Sequence, residues 1–347
     1  MLKRYEPLSA LSALPAAVYY AVQKTRESAY RAGLFKPRCA AAHVVSVGNI
    51  LMGGSGKTPF CIYFADLARR KGRRPAVASR GYRGSYKSDY EIVSDGVSER
   101  PLVGPDRCGD EPFLIAQRLP QVPVLVGRKR IVPAGIAIRE FGADVIVLDD
   151  GFQHTQLHRD LDIVLINGSE DRMFPLGRLR EPFSALGRAH LVVLMGADTS
   201  VPPGALPFLT GKRLFRCSVA PKTLVGLPGI DSPKDLAGET VVLFSGIADP
   251  GRFRKVAHGL GWRVKDHMVF PDHHAFEEKD IRAINQRAAG GPCVCTEKDW
   301  VKLPRPLKLS GKFGALGISV EPDDEEALWK AVSERLLCNA GAGEKKE

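Results

Sequence analysis

The stretch Met52–Pro59, MGGSGKTP, follows a short β-branched run, HVVSVGN (43–49), and leads into TPFCIYFADLARRKG. The first flank reads as a strand. The second reads as a helix, with Pro59 in its first turn and Gly72 past its end. A glycine-rich loop at such a junction points free N–H groups and a positive helix dipole at an anion. Gly53, Gly54 and Gly56, with Ser55 among them, let the backbone wrap closely. Lys57 supplies charge for β- and γ-phosphates, and Thr58 offers a hydroxyl to Mg²⁺. The common pattern G-x-x-x-x-G-K-[ST] wants glycine at 51, where this chain has Leu51. Only that first glycine is lost, and a merely tight turn would leave Lys57-Thr58 unexplained.

Outward from the loop, apolar runs alternate with helical segments. PAVASRG (75–81), VPVLVG (122–127), DVIVLDDG (144–151), DIVLING (162–168) and LVVLMG (191–196) read as strands. Continuous apolar strands separated by helices imply a parallel sheet covered on both faces. The proline- and glycine-rich TSVPPGALPFLTGKRLF then reads as a junction. A second alternating set follows, so the fold class is α/β, a parallel-sheet core with a second, smaller α/β domain at 225–310. The expected divisions are a helical segment at 1–36, a core at 37–212, and a C-terminal helix and tail at 321–347.

The 347 residues carry a formal net charge of +11, which suits an anionic partner: nucleic acid, anionic lipid or a phosphorylated substrate. Hydrophobic residues make up 44%, enough for packed cores. No nucleic-acid module is recognisable, and ARRKGRR ends a helix, where cations are favoured anyway. Seven scattered cysteines contain no C-x-x-C pair; Cys293 and Cys295 alternate onto one strand face and read as buried thiols, and a reducing compartment follows. Pro7–Gln23 is uncharged but contains Pro15 and falls short of the roughly 20 residues a spanning helix needs. It fits either an interfacial helix on an anionic leaflet or a first helix packed on the core.

Other clusters carry possible chemistry. VIVLDD delivers Asp149 and Asp150 at a strand end, where an acid can hold a metal's shell. In CGDEP, Asp110 and Glu111 either cap a helix or offer a base to an attacking hydroxyl. SRGYRG sets Tyr82 and Arg83 between glycines, with Arg80 just before them, suited to an anionic or sugar group. PLGRLREP offers Arg180 and Glu181, and arginines there can stabilise spread-out negative charge. In FPDHHAF, His273 or His274 could orient a catalytic carboxylate. His154 and His158 have metal-ligand spacing, but their segment lacks a helical pattern.

Taken in order, SVGNILMGGSGKTP, SRGYRG, GDEP, DDGFQH, PLGRLREP and FPDHH resemble the tetraacyldisaccharide 4′-kinase family, whose phosphate loop also lacks the first glycine. The resemblance implies transfer of the γ-phosphoryl of ATP, with Mg²⁺, to the 4′-hydroxyl of a tetraacyl disaccharide 1-phosphate, a lipid A precursor. The site would be the cytoplasmic face of a Gram-negative inner membrane. It further implies Asp110 as general base with His273, or second His274, as partner, and Lys57 and Arg180 at the phosphates. Thr58, Asp149, Asp150 and Glu181 would lie near the metal, and Tyr82, with Arg80 and Glu111, at the sugar. The family's two domains are joined by a two-stranded linker, here 213–224 and 311–320. A His–Asp pair split between domains would then require closure before chemistry. The competing reading is a P-loop ATPase or GTPase switch without an acceptor. TEKD (296–299) matches the guanine-reading N-K-x-D only in part.

Overall fold

The computed structural model describes residues 18, 20–22, 25, 29–30, 32–54, 56–168, 172–174, 176–196 and 199–343, the side chains of 338–343 excepted. Most of the N-terminal segment expected to meet a membrane, and Ser55 of the loop, lie outside the described residues. Among those described, no helix is long and apolar enough to cross a membrane.

In chain order the strands are β1 (His43–Asn49), β2 (Pro75–Ser79), β3 (Glu91–Asp95), β4 (Pro123–Val126), β5 (Val145–Asp149) and β6 (Leu161–Ile166). They continue as β7 (Leu191–Met195), β8 (Arg213–Val225), β9 (Thr240–Ser245), β10 (Arg263–Val269), β11 (Cys293–Thr296) and β12 (Phe313–Pro322). The principal helices are α1 (Lys57–Arg70), α2 (Asp110–Arg118), α3 (Ile131–Phe141), α4 (Pro250–Gly259), α5 (Glu278–Ala288), α6 (Glu297–Trp300) and α7 (Glu325–Gly343). They form two compact units. The first takes the described residues of 1–80, 129–218 and 321–347, the second 81–128 and 219–320.

The first unit is a parallel sheet in the order β8-β7-β6-β1-β5-β2. Strands β2, β5, β6 and β7 are buried at every residue, and β1 at all but its first. That is why they read as unbroken apolar runs: both faces are covered. Helix α1 buries Phe60, Phe64, Leu67 and Ala68, each phenylalanine contributing about 1.5–3 kcal/mol. From β1 the chain moves to one side through α1 to β2, and later to the other side through β6, β7 and β8. Loops at the carboxyl ends of strands beside such a reversal form the usual ligand crevice of this architecture. This is a P-loop-like α/β fold.

The second unit orders its strands β10-β9-β11-β12-β8, with β9 to β12 parallel, and adds an antiparallel β3–β4 pair. Cys293 and Cys295 both enter one apolar cluster with Phe244 and Phe313, while Val294 faces another with Trp262, as strand alternation requires.

Two placements differ from the sequence expectation. Residues 81–128 belong with 219–320 and not with the phosphate loop. Alternation shows which elements exist but not which compact unit each one packs into. The proline-rich stretch expected at a junction instead forms a 3₁₀ turn, Pro203–Phe208, whose Ala205 is buried in the first unit's core. The chain passes to the second unit within β8 and returns within β12.

Candidate active site

The loop after β1 has the backbone its glycines allow. Gly53 and Gly56 lie at φ 90° and 79°, in the left-handed region, and Gly56 directly precedes α1. The Asn167 side chain donates to the carbonyl of Gly54 at 2.9 Å. Leu51, where glycine was expected, is 5% exposed and bridges Leu179 in a core with Ile50, Phe152 and Leu186. The Met52 amide donates to Arg178 and the Arg180 amide to Ile50, both at 2.7 Å. The segment 178–180 is therefore laid along the base of the loop, and a side chain at 51 holds it there.

DDGFQH folds back on the same strand. The Gly151 amide donates to Val47 at 3.1 Å, and the Gln153 amide side chain to Asn49 at 2.8 Å. A Cβ at Gly48 would stand 2.4 Å from that of Phe152, so the two segments touch only because residue 48 is glycine.

Charge gathers at these strand ends. Lys57 Nζ lies 3.2 Å from Asn49 Oδ1 and 3.6 Å from Asp150 Oδ1, and Arg180 Nη1 lies 3.1 Å from Asp150 Oδ2. Burial opposes the charge on Asp150, but Lys57, Arg180 and Arg130 together outweigh it and hold the carboxyl below its ordinary range. Asp150 has φ 54°, a strained backbone for a non-glycine residue that aims its carboxylate at the two cations. Asp149, paired in register with Val47, is buried and accepts from Ser79 Oγ at 3.1 Å. Glu181 is 7% exposed and tied to Arg188 at 2.7 Å, with Arg188 over the Phe152 ring. Its carboxylate thus has an ion-pair partner in Arg188.

Thr58, Asp149 and Asp150 offer hard oxygens, the kind of donor that Mg²⁺ takes. Mg²⁺ bound by one or two carboxylates completes its shell from phosphates and water.

In the second unit the segments 81–86 and 106–109 interlock. The Ser85 amide donates to Asp106 at 3.0 Å and the Tyr86 amide to Arg107 at 3.3 Å. A Cβ on Gly84 would meet the Arg107 carbonyl at 2.4 Å, and one on Gly109 the Tyr82 carbonyl at 2.5 Å. Asp110 opens α2, with Gly109 as the capping position, and its Oδ2 lies 3.0 Å from His273 Nδ1. The Tyr82 ring meets that imidazole edge-on at 5.8 Å between centroids, and Arg83 donates to the His273 carbonyl. His274 instead pairs with Asp280 at 2.8 Å and stacks on Phe270. The expectation that the His–Asp pair is split between domains is corrected: both residues lie in the second unit, because 81–128 belongs there. Glu111 faces Lys298 at 3.3 Å, and Arg80 is exposed at the end of β2.

Four contributing residues escaped the sequence reading. Asn49 is fully buried, accepts from Lys57 and donates to the Leu51 carbonyl at 2.6 Å. Arg130, only 4% exposed, adds to the field on Asp150. Gly246 and Lys298 hold His273 from two sides. A polar asparagine closing an apolar strand was the one usable signal. The others depend on long-range packing.

The comparisons agree with one another. The family model of tetraacyldisaccharide-1-P 4′-kinase matches residues 8–337. A tetraacyldisaccharide 4′-kinase of Syntrophus aciditrophicus is 39% identical, covering 86% of this chain and 85% of the relative. That of Aquifex aeolicus is 36% identical, covering 91% and 95%. A crystal structure of LpxK from Aquifex aeolicus in complex with ATP superposes with TM-score 0.75 at 35% identity, over 93% of this chain and 98% of that one. The chain belongs to the tetraacyldisaccharide-1-P 4′-kinase family.

Proposed function

We propose that this chain is an ATP-dependent kinase that phosphorylates the 4′-hydroxyl of a tetraacyl disaccharide 1-phosphate, a step of lipid A synthesis. The observation that carries this reading is the Lys57–Asp150–Arg180 cluster at a glycine loop that opens a helix, in a chain of this family. Phosphoryl transfer asks a protein mainly for positioning and charge neutralisation. The loop amides cradle the phosphates, and Lys57 and Arg180 stabilise charge as it spreads over the transferred group. Thr58 with Asp149 or Asp150 would hold Mg²⁺, which when bound neutralises phosphate charge.

In this proposal Asp110 accepts the proton of the attacking hydroxyl. His273 orients that carboxylate through its Nδ1, while Tyr82, Arg80 and Glu111 offer contacts to the sugar. The surplus of positive charge and the uncharged, basic-flanked Pro7–Gln23 fit a protein that works on the anionic cytoplasmic face of an inner membrane.

The test is transfer of label from γ-labelled ATP to the tetraacyl disaccharide 1-phosphate in detergent micelles, for wild type and Asp110→Ala. Labelled lipid from wild type, with a loss of about 10²–10⁴-fold in the variant, supports activity and base together. Free phosphate without labelled lipid returns the chain to the switch reading. Full activity in the variant removes Asp110 as the base.

A further inference from the structure

The segment 178–180 runs beside the glycine loop, and its side chains alternate. Leu179 is 2% exposed and packs into the cluster of Leu51, Ile50 and Phe152. Arg178 and Arg180, on either side of it, lie on the other face, as extended chain requires. Arg180 meets Asp150. Arg178 has a different partner, the backbone of the loop. Its Nε and Nη2 both donate to the Met52 carbonyl, at 3.1 and 2.9 Å. Its own carbonyl accepts from the Met52 amide at 2.7 Å. One residue thus takes both backbone groups of Met52.

The consequence falls on the next residue. A trans peptide is planar, and its N–H runs antiparallel to its C=O. Holding the Met52 carbonyl therefore fixes the direction of the Gly53 amide, which points away from Arg178. That amide donates to no group among the described residues. Gly53 stands at φ 90° and has no Cβ, so without the guanidinium this peptide plane could turn over at little cost. A turned plane would set a carbonyl oxygen where the amide had been and repel an anion.

The same device recurs along the loop. Asn49 Nδ2 donates to the Leu51 carbonyl at 2.6 Å, and the Asn167 side chain to that of Gly54 at 2.9 Å. The carbonyls of 51, 52 and 54 are each held by a side-chain donor. A loop that offers N–H groups to phosphate must keep its carbonyls turned elsewhere, and these donors do so. Arg178 differs here from Lys57 and Arg180, which face Asp150 at 3.6 and 3.1 Å. Those cations act through charge, whereas Arg178 acts on the backbone.

We propose that Arg178 is a positioning residue for the nucleotide: its guanidinium holds the Met52–Gly53 peptide so that the Gly53 N–H is presented to a phosphate of ATP. This rests on the reading of MGGSGKTP as the phosphate loop. An amide that holds phosphate before and during transfer stabilises both states alike, so the effect lies in ATP affinity and not in the chemical step.

Amide NMR and calorimetry on the full chain test this. Carbonyl-labelled methionine with nitrogen-labelled glycine selects the amides that follow Met52 and Met195, those of Gly53 and Gly196, and Met195→Leu tells them apart. On addition of ATP the Gly53 amide proton of wild type should move downfield, as on forming a hydrogen bond to phosphate. An unmoved signal in saturated wild type overturns the proposal without any variant. Arg178→Leu should lose that shift and bind ATP about 10- to 100-fold more weakly, the worth of one hydrogen bond to a charged group, with kcat at saturating ATP nearly unchanged. Arg178→Lys, which keeps one cationic donor but not the fork, should recover part of the affinity and of the shift. Arg178→Leu with wild-type affinity overturns the proposal. Weak binding with the Gly53 shift intact shows a role through charge alone and overturns the role on the peptide. Should Arg178→Leu fail to fold, the wild-type shift and Arg178→Lys still decide, since a lysine variant equal to wild type in affinity overturns the need for the fork. A wild type that binds no ATP overturns the phosphate-loop reading, and this proposal with it.

Discussion

The Asp110 carboxylate lies 3.0 Å from Nδ1 of His273 although 163 residues separate them. What seats the carboxylate is Gly109, at φ 94° against the Tyr82 carbonyl. Gly109→Ala adds a Cβ that must strain the backbone and push against that carbonyl. The variant should lose about 1–3 kcal/mol of stability, as overpacked sites do. Its turnover at a temperature where it remains folded should fall further than that loss accounts for. Thermal unfolding and kcat on the same preparation check both halves.

Asp150 is held between Lys57 and Arg180. Asp150→Asn removes the anion those cations now face. Without Mg²⁺, ATP should bind the variant more tightly than wild type, since both cations are free to meet phosphate. With Mg²⁺, turnover should fall by about 10²-fold, the order for one lost electrostatic partner at a phosphoryl group. Calorimetry in chelator and a turnover assay separate the effects, and unchanged metal-free affinity would remove Asp150 from the phosphate site.

Glu325 opens α7 and accepts from Arg70 of α1 at 2.8 and 2.9 Å and from the Tyr63 hydroxyl at 3.0 Å. The Arg70 hydrogen bond holds its carboxyl below the ordinary value against an opposing effect of burial. As acid is added, the unfolded chain therefore takes up this proton first. The stabilisation is complete above about pH 4.5 and is lost as pH falls through the folded value. Glu325→Gln should flatten the acid limb of stability and cost about 0.2–1 kcal/mol at neutral pH, the range for solvent-screened pairs. Denaturant midpoints at pH 7, 4.5 and 3.5 read both changes.

Of the six cysteines whose side chains are described, only Cys39 is exposed. Burial pushes the Cys108 and Cys217 thiols up to about 12 and that of Cys293 to about 11, and raises Cys61 and Cys295 well above the usual range. Brief alkylation at pH 8 followed by peptide mapping should therefore find Cys39 modified and the other five protected. Rapid labelling of Cys293 or Cys295 would contradict their place in the strand core.

The sequence showed most where chemistry is local. A loop between strand and helix needs its glycines, lysine and threonine consecutive, so MGGSGKTP could be read without a partner. Asp149 and Asp150 were legible because they end an apolar run. What could not be read was partnership across distance. Glu181 looks as acidic as Asp150, and only the fold gives it Arg188. Leu51 departs from the common loop pattern, and its pairing with Leu179 is a contact that only the fold supplies. Lys298 sat in TEKD, where a partial guanine motif was the visible reading and a histidine 25 residues earlier was the real neighbour. The assignment of 81–128 differs for the same reason: the pattern of a strand does not say which compact unit it packs into.

The first unit is assembled from three separate lengths of chain, the last of which begins at Glu321. Arg70, at the end of the helix that the phosphate loop opens, waits for Glu325, 255 residues later. During synthesis the loop therefore leaves the ribosome long before its supporting helix has an anchor. A chain cut short ahead of α7 should emerge as an open parallel sheet with unmet charges and apolar surface, a substrate for chaperones and proteases. The first unit is therefore finished only once the segment that carries Glu325 has been made.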